Sequence, residues 1–475
     1  MPIAFATYTK EAGTTNGSCF FSFYFLTGSE YYLTFSSLQY RPCLTLLRSA
    51  DLIHWDFVTH CFNDFDYDIW APDLVEVKGR FYIYFYAEQE NWVTWADHIE
   101  GPWSQPLPLD IPDYIDPGHA VDDQGQRYLF LSRGMRVKLS DDGLQRISEP
   151  EMVFPVYQID SREDIEGDFM EGPKLCRRGG WFYYTFATGG TAGPATGHRV
   201  VSARSRSLDG PWEFSPYDPV LQCRSRSEPW HCKGHGTLID DPEGNAYLVY
   251  HAYRKDRQLW GRQMLIERVS FDENGWFYVD SAHPITTAAL PQTIQFDFSN
   301  GIPWTLRSFR NHDLTRFEAA SNTLRMQGRG WTLGESEPLL MTVNEDDFQI
   351  DVHVKLQGEV SAGLCCFYNP EHCAGILADA HGVSIIRHNR VLARHEGTGE
   401  QLWLRMELKQ LYLRFYVSQD GRQYQKINNV IDISGYNHNN YDGFLSVKPG
   451  FSVIGKGQAE LSDLTYRSKA RRKQK

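Results

Sequence analysis

The sequence predicts an all-β protein made of a five-bladed β-propeller followed by an antiparallel β-sandwich. Three observations predict this fold class. A glycine followed by a strand rich in Tyr and Phe recurs five times before residue 260, a turn closed by tryptophan recurs between the copies, and apolar residues alternate with a period of two after residue 290. The first two patterns indicate radial repetition, and the third indicates strands with one buried face.

The glycine-strand pattern predicts the number of blades. Its copies are spaced by close to the ~40–50 residues of one four-stranded blade, and the last two are stretched by insertions. Because each copy supplies one strand of one blade, five copies predict five blades over residues 1–290, an arrangement that leaves few exposed strand edges. The copies occupy residues 28–35, 79–85, 125–131, 179–186 and 244–251.

A second signature lies between these strands. Three turns contain Asp, Gly or Pro and end on a tryptophan that can cover the blade, as the turn of an outer strand requires. The three tryptophans are Trp55, Trp103 and Trp212. Two patterns that alternate along the chain favour a propeller over chance similarity.

The composition is that of a water-soluble globular protein. The chain has 475 residues, of which 41% are apolar and 23% charged, so it can form two to four domains. The net charge of -13 argues against a nucleic-acid surface and is compatible with a neutral ligand. Aromatic residues reach 14% and suit a β-rich core as well as stacking on sugar rings, and core packing accounts for most of them.

Cysteine usage and the chain start indicate a compartment. Nine cysteines are an odd number without the spacing of a zinc site, which favours a reducing environment. No stretch approaches the ~18 apolar residues of a membrane span, and the first residues do not lead from a basic into an apolar segment. We therefore predict a cytoplasmic protein that binds neither membrane nor nucleic acid.

Four polar motifs precede the strand glycines, at the start of inner strands whose side chains point into the central cavity. A turn explains any one of them, whereas a ring of Asp, Glu and His on one axis costs desolvation energy unless it does chemistry. The motifs are Trp70-Ala71-Pro72-Asp73, Asp116-Pro117-Gly118-His119, Glu171-Gly172-Pro173 and Gly234-His235-Gly236.

Glu171 is the leading candidate for proton chemistry. It stands two residues before a proline at the mouth of an aromatic strand, a place where a carboxylate can be held at the edge of a buried cavity. The alternative is that Glu171 caps a turn or pairs with Lys174 or Arg178. Its place in the repeated motif favours proton chemistry.

These segments resemble glycoside hydrolase family 43, the five-bladed propellers that cleave arabinofuranosides and xylosides. The resemblance covers about residues 28–280 in the family's order. It rests on residues 49–55, 70–72, 101–103, 116–117, 122–125, 171–173, 210–212, 234–236 and 261–262.

The resemblance implies an inverting, exo-acting β-xylosidase or α-L-arabinofuranosidase that acts on short oligosaccharides. The implied enzyme requires no cofactor. The resemblance also allows a structural calcium ion on the propeller axis, for which it assigns no metal ligands, and it is compatible with a homo-oligomer. Glu171 would be the general acid, and Asp116 would orient it and modulate its pKa. His235 would lie near the sugar or the calcium, and Arg262 would contact the substrate or the surroundings of Asp116. The implied substrate-binding set is Trp70, Asp73, His235 and Arg262.

Elementary chemistry agrees with these roles. Inverting glycosidases need one protonated carboxyl for the leaving oxygen and one carboxylate ~6.5–9.5 Å away to activate water, and acids on different blades can meet that separation. A second carboxylate nearby, together with partial burial, would raise the pKa of Glu171 and keep it an acid near neutral pH.

The sequence departs from the family pattern in the first blade, where members carry the general base as an Asp-Pro motif. Counting back from Gly28, as in the other blades, reaches residues 19–22, and the segment 17–24 contains no Asp, Glu or Pro. Three explanations stay open. Another side chain, with Asp73 as the candidate, activates the water; the N-terminal reading departs from the functional gene; or the protein is a carbohydrate-binding relic.

The C-terminal third has a different pattern. Residues 291–297 look like a linker, and alternating apolar residues over 348–356, 402–408 and 411–417, with a hairpin at Asp420-Gly421, predict an antiparallel β-sandwich over 291–466. This part resembles the concanavalin-A-like domain of the β-xylosidase branch, which implies that it walls off one side of the active site and favours short substrates. The alternative is a purely stabilising domain. The basic tail 467–475 is predicted to be disordered.

Overall fold

The computed structural model confirms an almost all-β chain with a five-bladed propeller and a C-terminal β-sandwich. The chain divides into two compact units, one of Met1–Arg257 with Arg262–Thr287 and the other of Gln258–Gly261 with Ala288–Lys475. The predicted boundary at residue 290 lies outside the described residues. The structure describes 30–153, 157–280, 293–311, 313–343, 345–397 and 401–468, together with the backbone of the strands Ile3–Ala4 and Phe21–Phe25.

Five separate antiparallel sheets form the five predicted blades. The first strands of neighbouring blades contact one another in sequence and so surround one axis. A further short strand, Tyr40–Arg41, lies in the sequence between the second and third strands of blade 1 and is not part of that sheet. Blade 1 contains Phe21–Phe25, Tyr31–Phe35, Cys43–Ser49 and Asp56–Phe62; blade 2 contains Trp70–Val77, Arg80–Ala87, Glu90–Ala96 and Leu107–Pro108; blade 3 contains Gly118–Val121, Arg127–Leu131, Met135–Leu139 and Glu151–Met152; blade 4 contains Met170–Arg178, Trp181–Thr188, Arg199–Ser205, Glu213–Phe214 and Leu221–Gln222; blade 5 contains Trp230–Asp240, Ala246–Arg254, Arg262–Phe271 and Phe277–Val279.

The fifth blade takes one strand from the start of the chain. Ile3–Ala4 pairs antiparallel with Arg262–Phe271, with Ile3 opposite Ile266 and Ala4 opposite Leu265. The ring is thus closed by hydrogen bonds between the two ends of the propeller sequence.

The repeated glycines lie in the hairpins that join the first and second strands of the blades. Gly79, Gly125 and Gly244 have φ values of 81°, 86° and 84°. This left-handed region costs glycine nothing and other residues strain, which is why the pattern recurs. The first copy of the pattern begins at Gly28, which lies outside the described residues.

The predicted tryptophans cover the blades. Trp55 and Trp103 are buried, and Trp212 packs edge-on against Phe130 and Tyr184. The core therefore lies between blades: aromatic and β-branched side chains of one sheet interdigitate with those of the next, as in other face-to-face sheet packings. Among these buried residues are Leu46, Ile69 and Ile83 between blades 1 and 2, and Tyr84, Leu129 and Val137 between blades 2 and 3.

Two strands of 21 residues, Asp347–Phe367 and Lys448–Ser468, organise the sandwich. They pair antiparallel along their length, from Phe348 opposite Ser468 to Phe367 opposite Lys448. Predicted alternating residues such as Ile350 are buried, which confirms the period of two. The remaining strands are Thr293–Gln295, Leu306–Phe309, Phe317–Ala320, Thr323–Gln327, Leu339–Met341, Cys373–Asp379, Gly382–Arg387, Arg390–Glu396, Gln401–Lys409, Tyr412–Ser418 and Gln425–Asp432.

Two details of the predicted C-terminal organisation are wrong. Part of the predicted linker is a strand, because Thr293–Gln295 pairs with the last long strand, Thr293 standing opposite Arg467. The predicted disordered tail begins too early, since that strand continues to Ser468 and Arg467 pairs with Asp351 at 2.5 Å. The rest of the tail, 469–475, lies outside the described residues.

Helices are few and short. None of those in the described part of the chain has the length and apolar character needed to span a bilayer. They are the α-helix His438–Tyr441 and the 3-10 helices Ser132–Gly134, Gln258–Trp260, Leu314–Arg316 and Gly334–Ser336.

We expect Leu404→Ala to lower the free energy of unfolding by about 2–5 kcal/mol, because it empties a fully buried site in the sandwich. Val430→Ala, at a side chain that is 49% exposed in the same unit, is the matched control and should cost far less. Denaturant titration of both variants measures the difference. Equal losses would show that the burial of Leu404 is misassigned.

Candidate active site

Two of the predicted motifs run side by side at the propeller axis. The backbone N–H of Gly172 donates to Oδ2 of Asp116 at 3.0 Å, so a residue of blade 4 holds the carboxylate that precedes blade 3. A Cβ at Gly118 would overlap the carbonyl oxygen of Pro173, which requires glycine at this approach of two backbones. The two candidate acids are therefore brought together, as the sequence predicted.

The two carboxyl groups differ in exposure. The Asp116 side chain is 1% exposed, whereas the Glu171 side chain is 14% exposed. A proton donor must reach the substrate, so the more accessible Glu171 suits that role and Asp116 suits a supporting one. Oδ1 of Asp116 has no hydrogen-bond partner within the described part of the chain.

His235 lies between the two acids. Its Nε2 is 3.3 Å from Oε1 of Glu171 and 3.6 Å from Oδ2 of Asp116. A Cβ at Gly172 would come within 2.6 Å of Nδ1 of His235, so glycine at this motif position makes room for the ring. The third predicted motif thus joins the first two at a single nitrogen atom.

Two further histidines complete a stack. The His251 ring lies 5.0 Å from that of His235 and 5.4 Å from that of His198, at interplanar angles of 24° and 12°. A Cβ at Gly234 would overlap the His198 ring, which explains the glycine before His235. All three imidazoles are buried.

Burial controls the protonation of these groups. It raises the pKa of Asp116 to about 6, a shift that interactions with His235 and Lys174 oppose and interaction with Glu171 increases. Burial also raises the pKa of Glu171, and interactions with His198 and Arg262 oppose that shift. Two like charges in one buried space are unfavourable, so burial and repulsion both act against ionising the two groups together.

The histidines stay neutral under the same conditions. Burial lowers the pKa values of His198 and His235 to about 3, and it lowers that of His251 well below the usual range. Neutral imidazoles can position a carboxyl group by hydrogen bonding without cancelling its charge. The arrangement can therefore hold one acid protonated and the other ionised.

Arg262 is buried in blade 5, opposite Tyr253. Its charge opposes protonation of all three histidines and favours ionisation of Glu171. The resemblance implied a contact of Arg262 with the substrate or the surroundings of Asp116, and this role stays a prediction.

Trp70 lies on the blade 2 side of the site. It is partly buried at the start of its strand and stands opposite Tyr86. The pKa of Tyr86 is raised first by burial and then by the carboxylates of Asp113 and Asp116.

Asp73 is buried in an ion pair. Its Oδ1 accepts from Nζ of Lys174 at 2.7 Å, and its Oδ2 accepts from the N–H of His119 at 2.7 Å. A general base needs a carboxylate oxygen directed at water, so these contacts favour a structural role for Asp73 over the predicted contact with substrate or water. The alternative that Glu171 pairs with Lys174 or Arg178 is also not observed, since Arg178 pairs with Asp240.

Sequence reasoning missed His198, His251 and Lys174. His251 is the last residue of the fifth glycine-strand copy, and His198 follows a glycine-rich segment. Neither stands at a spacing from another histidine or acid that would indicate a shared site. Lys174 was considered only as a neighbour of Glu171, whereas its partner Asp73 lies on another blade.

Three of these groups form a candidate metal centre. Single ligand atoms of Glu171, His198 and His235 all lie within 4.8 Å of one another. Two neutral imidazole nitrogens and one carboxylate suit zinc better than calcium, which prefers six to eight oxygen ligands. The structural calcium on the propeller axis stays a prediction.

The backbone of the first blade bears on the missing base. Phe21–Phe25 forms the first strand of blade 1, with Phe21 opposite Phe35 and Phe25 opposite Tyr31. The strand thus begins within residues 19–22, the segment in which the family's general base is expected. The side chains of residues 19–22 lie outside the described ones.

Two carboxyl groups at the axis of a five-bladed propeller agree with the pair of acids that glycosidases use. The chain belongs to the glycosyl hydrolases family 43, whose model matches residues 22–277. A second model, that of the β-xylosidase C-terminal concanavalin A-like domain, matches residues 297–460 and confirms the predicted sandwich type. The fold and the family place the chain among the O-glycosyl hydrolases.

Known relatives carry related names. The chain is 28% identical over 284 residues to xylosidase/arabinosidase 43B of Humicola insolens, a match that covers 53% of this chain and about half, 51%, of that relative. It is 23% identical over 478 residues to xylan 1,3-β-xylosidase of a Vibrio species, covering 84% of this chain and 87% of that one. The crystal structure of the GH43 BlXynB protein from Bacillus licheniformis matches with a TM-score of 0.83 at 22% identity, covering 95% of this chain and 98% of the other.

We expect Gly234→Ala to displace the His198 ring, because the added methyl group would overlap it. The variant should show a lower Tm than the wild type, and its crystal structure should show the histidine stack opened. Gly397→Ala is the control, since its Cβ would meet nothing closer than 3.8 Å. An unchanged histidine stack in Gly234→Ala would contradict the packing described here.

Proposed function

We propose that the protein is an inverting, exo-acting glycoside hydrolase that releases a pentose from short xylo- or arabino-oligosaccharides. The observation that carries this proposal is the buried contact of Asp116 and Glu171 with one nitrogen of His235. The names of the relatives, a xylosidase/arabinosidase and a xylan 1,3-β-xylosidase, support pentosides as the substrate class.

Glu171 acts as the general acid. Its raised pKa keeps the proton available, and its partial exposure lets that proton reach the leaving glycosidic oxygen. Asp116 stays behind it in ionised form, held by the Gly172 N–H, and its negative charge disfavours ionisation of Glu171. His235, neutral at this pH, orients both groups.

The attacking water needs a base as well. The segment 17–24 contains no acidic residue, and both oxygens of Asp73 accept hydrogen bonds. These observations favour a second candidate, a protein on the same scaffold that binds pentosides and hydrolyses them slowly. Release of reducing pentose from aryl xylosides and arabinofuranosides, measured beside calorimetric binding of xylose and arabinose, separates the two functions.

Replacement of Glu171 by Gln should depend on the leaving group. We expect a loss of ~10²–10⁴ in kcat/KM on xylosides with poor leaving groups, because these need the proton, and a smaller loss on activated aryl xylosides. Rates measured on a series of aryl xylosides test this. Equal losses across the series would refute Glu171 as the acid.

The pH profile should have an acid limb set by Asp116. Burial raises the pKa of Asp116 to about 6, and the active form has this group ionised, so kcat/KM should fall as the pH decreases through about 6. Asp116→Asn should remove that limb and lower the rate at every pH. If the limb persists unchanged in Asp116→Asn, another group sets it.

Azide should reveal the missing base. Without a general base, we expect attack by water to be slower by a factor of ~10²–10⁴. Azide is already anionic and needs no deprotonation, so it should raise turnover and yield an inverted glycosyl azide. Asp73→Asn serves as the companion variant. Full hydrolysis without azide that Asp73→Asn abolishes and that azide then restores in the variant would instead identify Asp73 as the base.

A further inference from the structure

Lys174 holds the segment that carries Asp116. Its Nζ donates to the carbonyl oxygen of Pro117 at 3.0 Å and to Oδ1 of Asp73 at 2.7 Å. Asp73 in turn accepts from the N–H of His119 through its other oxygen. The ion pair therefore grips the backbone on both sides of Gly118, immediately after Asp116.

The same pair marks the point at which two inner strands regain regular pairing. The register of blade 4 shifts between Glu171 and Lys174, and the register of blade 2 shifts between Trp70 and Asp73. Such bulges re-aim side chains and are frequent next to active sites. Each partner of the ion pair ends one bulge, so their contact fixes both bulges relative to each other.

The burial of the pair argues against a merely stabilising role. Lys174 and Asp73 have side-chain exposures of 9% and 8%. A buried ion pair adds little stability over an apolar pair of similar volume, because desolvation offsets the attraction between the charges. The pair nevertheless connects three blades beside the two carboxyl groups of the site. Its role is therefore better explained by the positions in which it holds the backbone around Asp116 and Glu171.

We propose that Lys174 is a positioning residue for Asp116 and Glu171, and that Asp73 is the counter-ion that holds Lys174 in place. The inference rests on the proposed function as far as catalysis is concerned. Lys174 also adds a positive charge beside Asp116. Other ionisable groups in the described part of the chain that act on Asp116 or respond to its charge include Glu171, His235 and Tyr86.

The test compares Lys174→Met, Lys174→Arg and the double variant Asp73→Asn/Lys174→Met with the wild type. Lys174→Met should lower Tm, lower kcat/KM roughly 10- to 100-fold through misplacement of the acids, and move the acid limb to higher pH because Asp116 loses a favourable charge. Lys174→Arg keeps the charge and should keep the acid limb near its wild-type position.

The double variant separates positioning from stability. Removing both charges avoids a buried unpaired ion, so its Tm should recover towards the wild type while the acid limb stays displaced and kcat/KM stays low. Recovery of Tm, rate and pH profile together would overturn the proposal, as would an unchanged pH profile in Lys174→Met.

A readout without turnover distinguishes this inference from the proposed function. If the wild type neither hydrolyses nor binds any pentoside, the proposed function fails, and crystal structures of the variants still report on positioning. In Lys174→Met the Pro117 carbonyl and the Asp116 carboxyl group should move from their wild-type places, because the hydrogen bond that holds Pro117 is lost. Lys174→Arg should keep both in place. Unmoved Pro117 and Asp116 in Lys174→Met would overturn the inference.

Discussion

The site depends on one electrostatic constraint: two carboxyl groups from neighbouring blades share a buried space in which both cannot be ionised at low cost. Burial also lowers the pKa values of the three histidines beside them. Compensation comes from Lys174 next to Asp116 and from Arg262 next to Glu171. Opposed effects thus act on both carboxyl groups, because burial raises their pKa values and the neighbouring cations lower them.

The same residues explain why the inner strands are irregular. Register shifts occur at the motif positions of blades 2, 4 and 5. A regular strand would direct successive side chains to the two faces of its sheet, both of which pack against neighbouring blades. The bulges release the motif residues from that alternation, and glycines such as Gly172, with a φ of 62°, allow the backbone to turn there. Local irregularity thus brings acids from different blades to one point.

Much of the fold could be predicted because repetition and the period of two are local signals. Asp116, Glu171 and His235 were found because each sits in a repeated motif, and the family confirms the class of enzyme that they indicate. Lys174 could not be assigned from sequence, since its partner Asp73 is 101 residues away and no periodicity links them. His198 and His251 meet only through the packing of blades 4 and 5. The strand Thr293–Gln295 was read as a linker because three residues are too few to show alternation.

The pairing of Ile3–Ala4 with the middle of Arg262–Phe271 has a consequence for folding. Each blade is built largely from hairpins between neighbouring segments, which form quickly because little chain entropy is lost in closing short loops. The ring, in contrast, is sealed by residues from its two ends, and this contact is among the most non-local in the propeller. Until it forms, the edge of the fifth blade around Leu265 and Ile266 presents unpaired backbone groups to solvent. Before the ring is sealed, this edge is therefore open to edge-to-edge association with other chains.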